Sequence, residues 1–165
     1  MITKRFLSLL CGFASLLGLN ACDHFDLQAL KPGISTAVEV RDRLGTPDME
    51  WRNTDGSVVW EFSRQPEGTQ CFMITIGPDD ILRTVDQVLT DSHFSLIRPG
   101  MRTDEVRRIL GKPASKQTFD LSKETVWQWR IASEPPITER LYFTVSFDTE
   151  GRVLRTGRNV EYRGG

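Results

Sequence analysis

Three cysteines, two histidines and two acidic clusters are the side chains in this 165-residue sequence that could do chemistry. Cys22 stands in LNACDHF, residues 19 to 25, directly behind an apolar run, Cys11 lies inside that run, and Cys71 opens a second apolar run of strand-like composition. His24 lies two residues past Cys22, and His93 lies near the middle of the chain. Neither histidine has a Ser or Cys nucleophile beside it at a strand-to-helix elbow, so no acyl-transfer arrangement is present. Asp79-Asp80 and Asp148-Thr149-Glu150-Gly151 carry oxygens that suit calcium, but the twelve-residue loop of an EF-hand is missing and each cluster separates two strand-like runs. Hairpin turns are expected there. Cys71 reads as a buried small hydrophobe. The expectation is a protein without catalytic residues, bound metal or small-molecule substrate.

Cys22 is the exception, because its context supplies a reaction. Lys4 and Arg5 precede an uncharged stretch from Phe6 to Leu19, the build of a secretory signal peptide, and about 14 apolar residues fall short of the roughly 20 that span a bilayer. Leu19, Asn20, Ala21 and Cys22 resemble the bacterial lipobox, in which the thiol is alkylated with diacylglycerol and cleavage leaves the cysteine as the first residue, N-acylated in turn. The other reading is a plain cleavage site with an incidental cysteine. With Cys11 removed and Cys22 acylated, Cys71 alone remains, so no internal disulfide is expected in an oxidising compartment. Two or three acyl chains on one residue make a lasting anchor. The rest of the chain is then tethered to a membrane.

Loss of residues 1–21 takes away Lys4 and Arg5, which lowers the 21 basic residues to 19 against 22 acidic ones, a formal charge of −3. A weak acidic balance without a basic tract argues against nucleic acid and against electrostatic capture by anionic lipid. The expected partner is a protein of the cell envelope.

The chain repeats itself. LKPGISTAVEVRDRLGTP (30–47) returns as IRPGMRTDEVRRILGKP (97–113), SVVWEF (57–62) as ETVWQW (124–129), and FMITIGPDDILRT (72–84) as FTVSFDTEGRVLRT (143–156). The period of about 67 residues exceeds that of solenoid repeats and is long enough for a small domain. The expected organisation is a signal over 1–21, a first unit over 22–90 and a second over 91–165.

Within the second unit, Pro99-Gly100 predicts a turn, Thr103 a helix cap, and Asp104 and Glu105 an acidic first turn. Val106, Ile109 and Leu110 form one apolar stripe, and Gly111 with Pro113 ends the helix. Ser35 or Thr36, Val40, Leu44, Gly45 and Pro47 repeat this punctuation, and a short helix is expected ahead of each Pro-Gly. Afterwards the period becomes two, with Asp55-Gly56 as a hairpin signal. The predicted class is therefore α+β, two tandem units of helix, helix and three-stranded antiparallel meander. Units this small bury too little surface to stand alone, so they are expected to pack together or to share one continuous sheet, as one sheet-forming body.

RPGMRTDEVRRILGKP, followed by a tryptophan strand and LYFTVSFDTEGRV, resembles the BamE (SmpA/OmlA) family of bacterial envelope lipoproteins. The resemblance implies two helices on a three-stranded sheet, anchorage at the periplasmic side of the outer membrane, and an accessory role in β-barrel protein assembly or envelope integrity. Asp23, directly behind the lipid cysteine, matches instead the residue that favours inner-membrane retention in enteric bacteria. A tandem of this fold is also similar to the β-lactamase inhibitor proteins, which implies an inhibitor or scavenger that binds a periplasmic enzyme.

Strand alternation puts Trp60 and Phe62 on one face with Trp127 and Trp129, and an aromatic face of that extent is expected under the helices. Glu61, Gln128, Arg130, Tyr142 and Thr144 then fall on the opposite face, the candidate protein-binding surface.

Overall fold

The computed structural model describes residues 27–132 and 139–161. The expected signal peptide, Cys22 and His24 lie outside the described residues. After a single 3-10 turn at Leu27–Ala29 comes helix α1 (Ala37–Leu44), then strands β1 (Met49–Arg52), β2 (Val58–Ser63), β3 (Cys71–Ile76) and β4 (Leu82–Gln87). The second half gives α2 (Asp91–Phe94), α3 (Thr103–Leu110), β5 (Ser115–Phe119), β6 (Glu124–Ile131), β7 (Arg140–Phe147) and β8 (Val153–Glu161). The strands form two separate four-stranded antiparallel sheets in the orders β1-β2-β3-β4 and β5-β6-β7-β8.

This corrects the expected fold class in three respects. Each sheet has four strands, the units do not join into one sheet, and the leading helix of each unit shrinks to a 3-10 turn in one and to the four residues of α2 in the other. The missed strands are β1 and β5, whose sequences MEWR and SKQTF lie almost wholly at the surface. Polar edge strands carry no apolar alternation, and they form because the hairpins behind them offer an unpaired ladder: Met49 aligns with Glu61, and Ser115 with Gln128. Chemistry at the first of these hairpins was legible, since Ser57 N donates to Asp55 Oδ1 (2.9 Å) and Gly56 has a positive φ of 85°.

The repeat is visible in the backbone. The turn before each main helix hangs on the start of the last strand of its own unit, by Gly33 N to Leu82 O and Gly100 N to Val153 O, both 2.8 Å. Asp79-Asp80 and Asp148–Gly151 close the hairpins beneath, with Gly77 N donating to Ile81 O (2.8 Å) and Asp148 N to Arg152 O (2.9 Å). Helix α1 starts with a reciprocal cap: Glu39 N donates to Thr36 Oγ1 (3.2 Å), and Thr36 N to the Glu39 carboxylate (2.9 Å). In α3 the residue before the helix is Arg102, not Thr103, and its N–H donates to the Glu105 carboxylate at 2.7 Å.

Both helices stop at a glycine whose N–H donates to the carbonyl four residues back, Gly45 to Arg41 and Gly111 to Arg107, each at 2.8 Å. Their φ is positive, 81° at Gly45 and 74° at Gly111, and ψ is −152° and −166°, so the glycines occupy an extended left-handed region open essentially to glycine alone.

The core explains how the units join. Phe72, Ile74 and Ile76 of β3 point with Trp60 and Phe62 into a cluster closed by Val40 and Leu44 of α1. Cys71 and Met73 of the same strand point the other way, into a second cluster with Val106 and Leu110 of α3, Phe94 of α2, and Trp127, Trp129, Phe143, Val145 and Phe147 of the second sheet. Thus α1 covers one face of the first sheet and the second unit's helices cover the other. The continuous apolar run of β3 follows from burial on both faces. The units share a core instead of a sheet.

Candidate binding face

Antiparallel register lines up rows of side chains across the second sheet. One row is Ser115, Gln128, Thr144 and Gly157, the next is Gln117, Val126, Ser146 and Arg155, and Arg130, Tyr142 and Asn159 form a third. None of these residues belongs to either buried cluster. The face opposite holds Trp127, Trp129, Phe143 and Val145 against the helices. Strand alternation therefore places four of the five predicted site residues, Gln128, Arg130, Tyr142 and Thr144, on a face with no described helix in its rows.

Glu61 is the correction. It alternates away from Trp60 and Phe62 as expected, but the side it faces is occupied by the second unit, and its side chain is 0 % exposed. Lys112 N donates to Glu61 Oε1 at 2.8 Å, and Arg107 Nε lies 3.3 Å from Oε2. Burial pushes its pKa up; the Arg107 charge and hydrogen bond and the Lys112 N–H oppose that rise. Beside it, Lys112 Nζ lies 3.1 Å from Asp48 Oδ1. Glu61 ties the units together and is closed to any partner.

One end of the open face is braced by the loop that links β2 and β3. Gln65 Nε2 donates to Arg130 O (2.8 Å) and Gly68 O (3.1 Å), while Arg130 N donates to Gln65 Oε1 (3.0 Å). A side-chain amide stands in for a neighbouring strand's backbone here for a local reason. The ladder on that side ends with Ala114 N on Gln128 O (2.7 Å), one residue after Pro113, which has no N–H to offer. Without Gln65 both backbone polar groups of Arg130 would lack a protein partner on that edge. The same loop holds the Arg130 side chain through the Glu67 carbonyl, and the Glu67 carboxylate lies 4.0 Å from Arg130 and 3.7 Å from Arg140. Arg130 is left 26 % exposed. Two residues in these rows are themselves buried, Ser146 and Tyr142, and the Tyr142 hydroxyl donates to Glu161 Oε2 at 3.1 Å.

Towards the other end, Glu124 and Arg155 meet at 3.0 and 2.6 Å, and that pairing holds the Glu124 carboxyl below its ordinary range. Between these ends lie uncharged groups. Ser115 Oγ donates to Gln128 Oε1 (3.2 Å), and Gly157 leaves room beside Thr144, whose Oγ1 would be 3.2 Å from an added Cβ. Hydroxyl and amide groups lie side by side there along the strand register, which suits recognition by hydrogen bonding. Gln65 was not anticipated, since the run Gln-Pro-Glu-Gly carries turn composition and no periodicity.

The other candidates for chemistry are placed elsewhere. Cys71 is fully buried, and burial with the nearby Glu61 charge pushes its thiol far up. His93 sits on α2 with Nδ1 2.8 Å from Thr90 Oγ1. Among the described residues no three His, Cys, Asp or Glu side chains converge as metal ligands, and no helix is long and apolar enough to cross a membrane.

No protein-family model matches the chain, and no curated protein does. Among solved structures, a DUF4309 family protein from Bacillus subtilis is similar at 12% identity and a TM-score of 0.31 over 81% of this chain and 84% of that one. A Streptococcus mutans protein described as a "putative beta-lactamase inhibitor protein" is similar at 10% identity and a TM-score of 0.29 over 76% and 82%. An extracellular Bacillus anthracis protein containing an SCP domain gives 9% identity and a TM-score of 0.27 over 96% and 49%. None of the three is described as a BamE-family protein, and at these scores none decides a partner.

Proposed function

We propose that the chain is an envelope protein-binding module, tethered by lipid on Cys22, that captures its partner on the open face of the second sheet and performs no catalysis itself. The observation that carries this reading is the row of Ser115, Gln128, Thr144 and Gly157 with its neighbours Gln117 and Arg155, polar and exposed or half-buried on the side away from the aromatic core. Rims and transient interfaces have this polar character, whereas permanent subunit contacts are more apolar. A soluble periplasmic enzyme, held as by an inhibitor or scavenger, therefore fits the face better than a permanent assembly subunit does.

The second reading is an accessory lipoprotein of β-barrel protein assembly in the outer membrane. It rests on the likeness of the Pro-Gly-Met to Leu-Gly-x-Pro helix and of the lipobox to the BamE family. The outer membrane, periplasmic side, is the proposed location under either reading, with inner-membrane retention the outcome if Asp23 governs sorting; separation of the two membranes on a density gradient distinguishes them.

Photo-crosslinking from position 117 or 128 in the tethered protein, with position 39 on α1 as control, tests the face and the partner together. Adducts with a soluble hydrolase at 117 and 128 but not at 39 support the proposal. Adducts with assembly subunits favour the second reading. Adducts at 39 alone move the binding site to the first unit.

A further inference from the structure

Apolar side chains stand in the open where the chain turns into α1: Ile34 is 70 % exposed and Val38 is 66 % exposed. The second unit provides an internal control. With Val40 matched to Val106, Leu44 to Leu110 and Gly45 to Gly111, Val38 falls opposite the exposed Asp104, and Ile34 lies in the segment where the first copy is one residue longer. The scaffold does not ask for this difference, because the turn before each helix is fixed to its unit's last strand by the same glycine N–H at 2.8 Å. At position 38 one unit shows hydrocarbon where the other shows the carboxylate of Asp104, and beside it Ile34 stands open where Met101, next after the matching glycine, packs on the core. Such a contrast between copies points to different surroundings, one of them apolar.

The tether says which surroundings. Four residues separate Cys22 from Leu27, the first described residue, so five Cα steps of at most about 3.5 Å hold Leu27 within roughly 17 Å of an acylated cysteine. Leu27 and Leu30 pack on the first unit's core, and the turn leading to α1 follows seven residues after Leu27 at Ile34. We infer that Ile34 and Val38 sit in the interfacial layer of the bilayer that carries the lipid of Cys22, a contact that rests on the anchoring proposed above. Of the charged groups nearby, the Glu39 carboxylate caps Thr36 N at 2.9 Å and Asp79 pairs with Arg83 at 2.6 Å, while Lys31 stands exposed as a single positive charge. Contact is therefore apolar, not electrostatic, in keeping with the acidic balance of the chain. Two side chains are too few to bind a membrane unaided. Held there by acyl chains, they fix the pose of the first unit and leave recognition to the second.

The test uses the full lipidated chain in phosphatidylcholine vesicles containing nitroxide lipids. A cysteine at 34, 38 or 104 carries an environment-sensitive fluorophore, since Cys22 is occupied by lipid and Cys71 is fully buried. Emission at 34 and 38 should shift to the blue and be quenched roughly twofold or more over position 104, with no loss in about 0.5 M salt. Equal quenching at the three positions overturns the inference, and loss of the difference in salt overturns its apolar basis. Mass spectrometry of the N-terminal peptide separates the two levels. An acylated chain with equal quenching refutes this contact alone, whereas a chain without acyl groups refutes the anchor and the contact together.

Discussion

The helices α1 and α3 end alike and meet opposite fates. Each runs eight residues, stops at a glycine with positive φ, and turns into a polar edge strand. Behind Gly45 no neighbour among the described residues comes within 4 Å of an added Cβ, whereas a Cβ on Gly111 would overlap Cys71 Sγ and stand 3.3 Å from Met73 Cε and 3.5 Å from Glu61 Cδ. The carbonyl of Gly111 also accepts the indole N–H of Trp129 at 3.0 Å, while the indole nitrogen of Trp60 in the first unit has no hydrogen-bond partner among the described residues. One local signal thus serves twice, once as a helix stop at the surface and once as the seam between units. A repeat fixes what each copy folds into, and contact between copies decides which surfaces remain.

The largest expected effects lie at that seam. Trp127→Ala should cost about 3 to 5 kcal/mol as truncation of a large core side chain, and Gly111→Ala should cost about 2 to 4 kcal/mol through strain plus overpacking. Gly45→Ala, with strain alone, should cost about 1 to 2 kcal/mol. Urea denaturation of all three checks the order. Equal losses at the two glycines would mean that the seam is looser than described. Adding Cys71→Ala to Gly111→Ala should recover part of the loss, because the overlap is with the sulfur.

Glu61 extends the contrast to pH. Its folded pKa is raised above the ordinary 4.5, so the folded state holds the proton more tightly than the unfolded state does. The contribution is full below that ordinary value and is lost as pH rises through the folded pKa. The melting temperature of the parent, relative to Glu61→Gln, should therefore fall as pH rises from 4.5. A difference that grows with pH would show that Arg107 and Lys112 outweigh burial.

Gln65→Ala, at the brace of the open face, removes three hydrogen bonds and should cost about 1 to 3 kcal/mol by stranding the backbone of Arg130. Arg130→Glu brings a second carboxylate beside Glu67 and should cost more than the ~0.5 kcal/mol typical of surface changes. Thermal melts of both variants measure this.

Much of the fold was legible in particular residues. Trp127, Trp129, Val145 and Phe147 alternate because one face is buried, and the glycine-proline stops mark helix ends directly. Alternation also assigned Glu61 to the side away from Trp60 correctly. Alternation tells which way a side chain points and not what stands there, so the cover over Glu61 came from contacts between residues 46 to 51 positions apart. The strands Met49–Arg52 and Ser115–Phe119 were missed for the related reason that edge pairing is made by backbone, which leaves no pattern in exposed side chains. Gln65 acts 65 positions away by replacing a proline's missing N–H, and no local pattern encodes that.

If the open face of the second sheet is the binding surface, a bulky charge at its centre must block capture while the fold survives. Thr144→Arg fills the space beside Gly157 without touching either buried cluster, so stability should change by no more than about 0.5 kcal/mol. Capture of the crosslinked partner by the tethered protein should fall at least about tenfold, the equivalent of ~1.4 kcal/mol. Undiminished capture by a stable Thr144→Arg protein would contradict this assignment of the face.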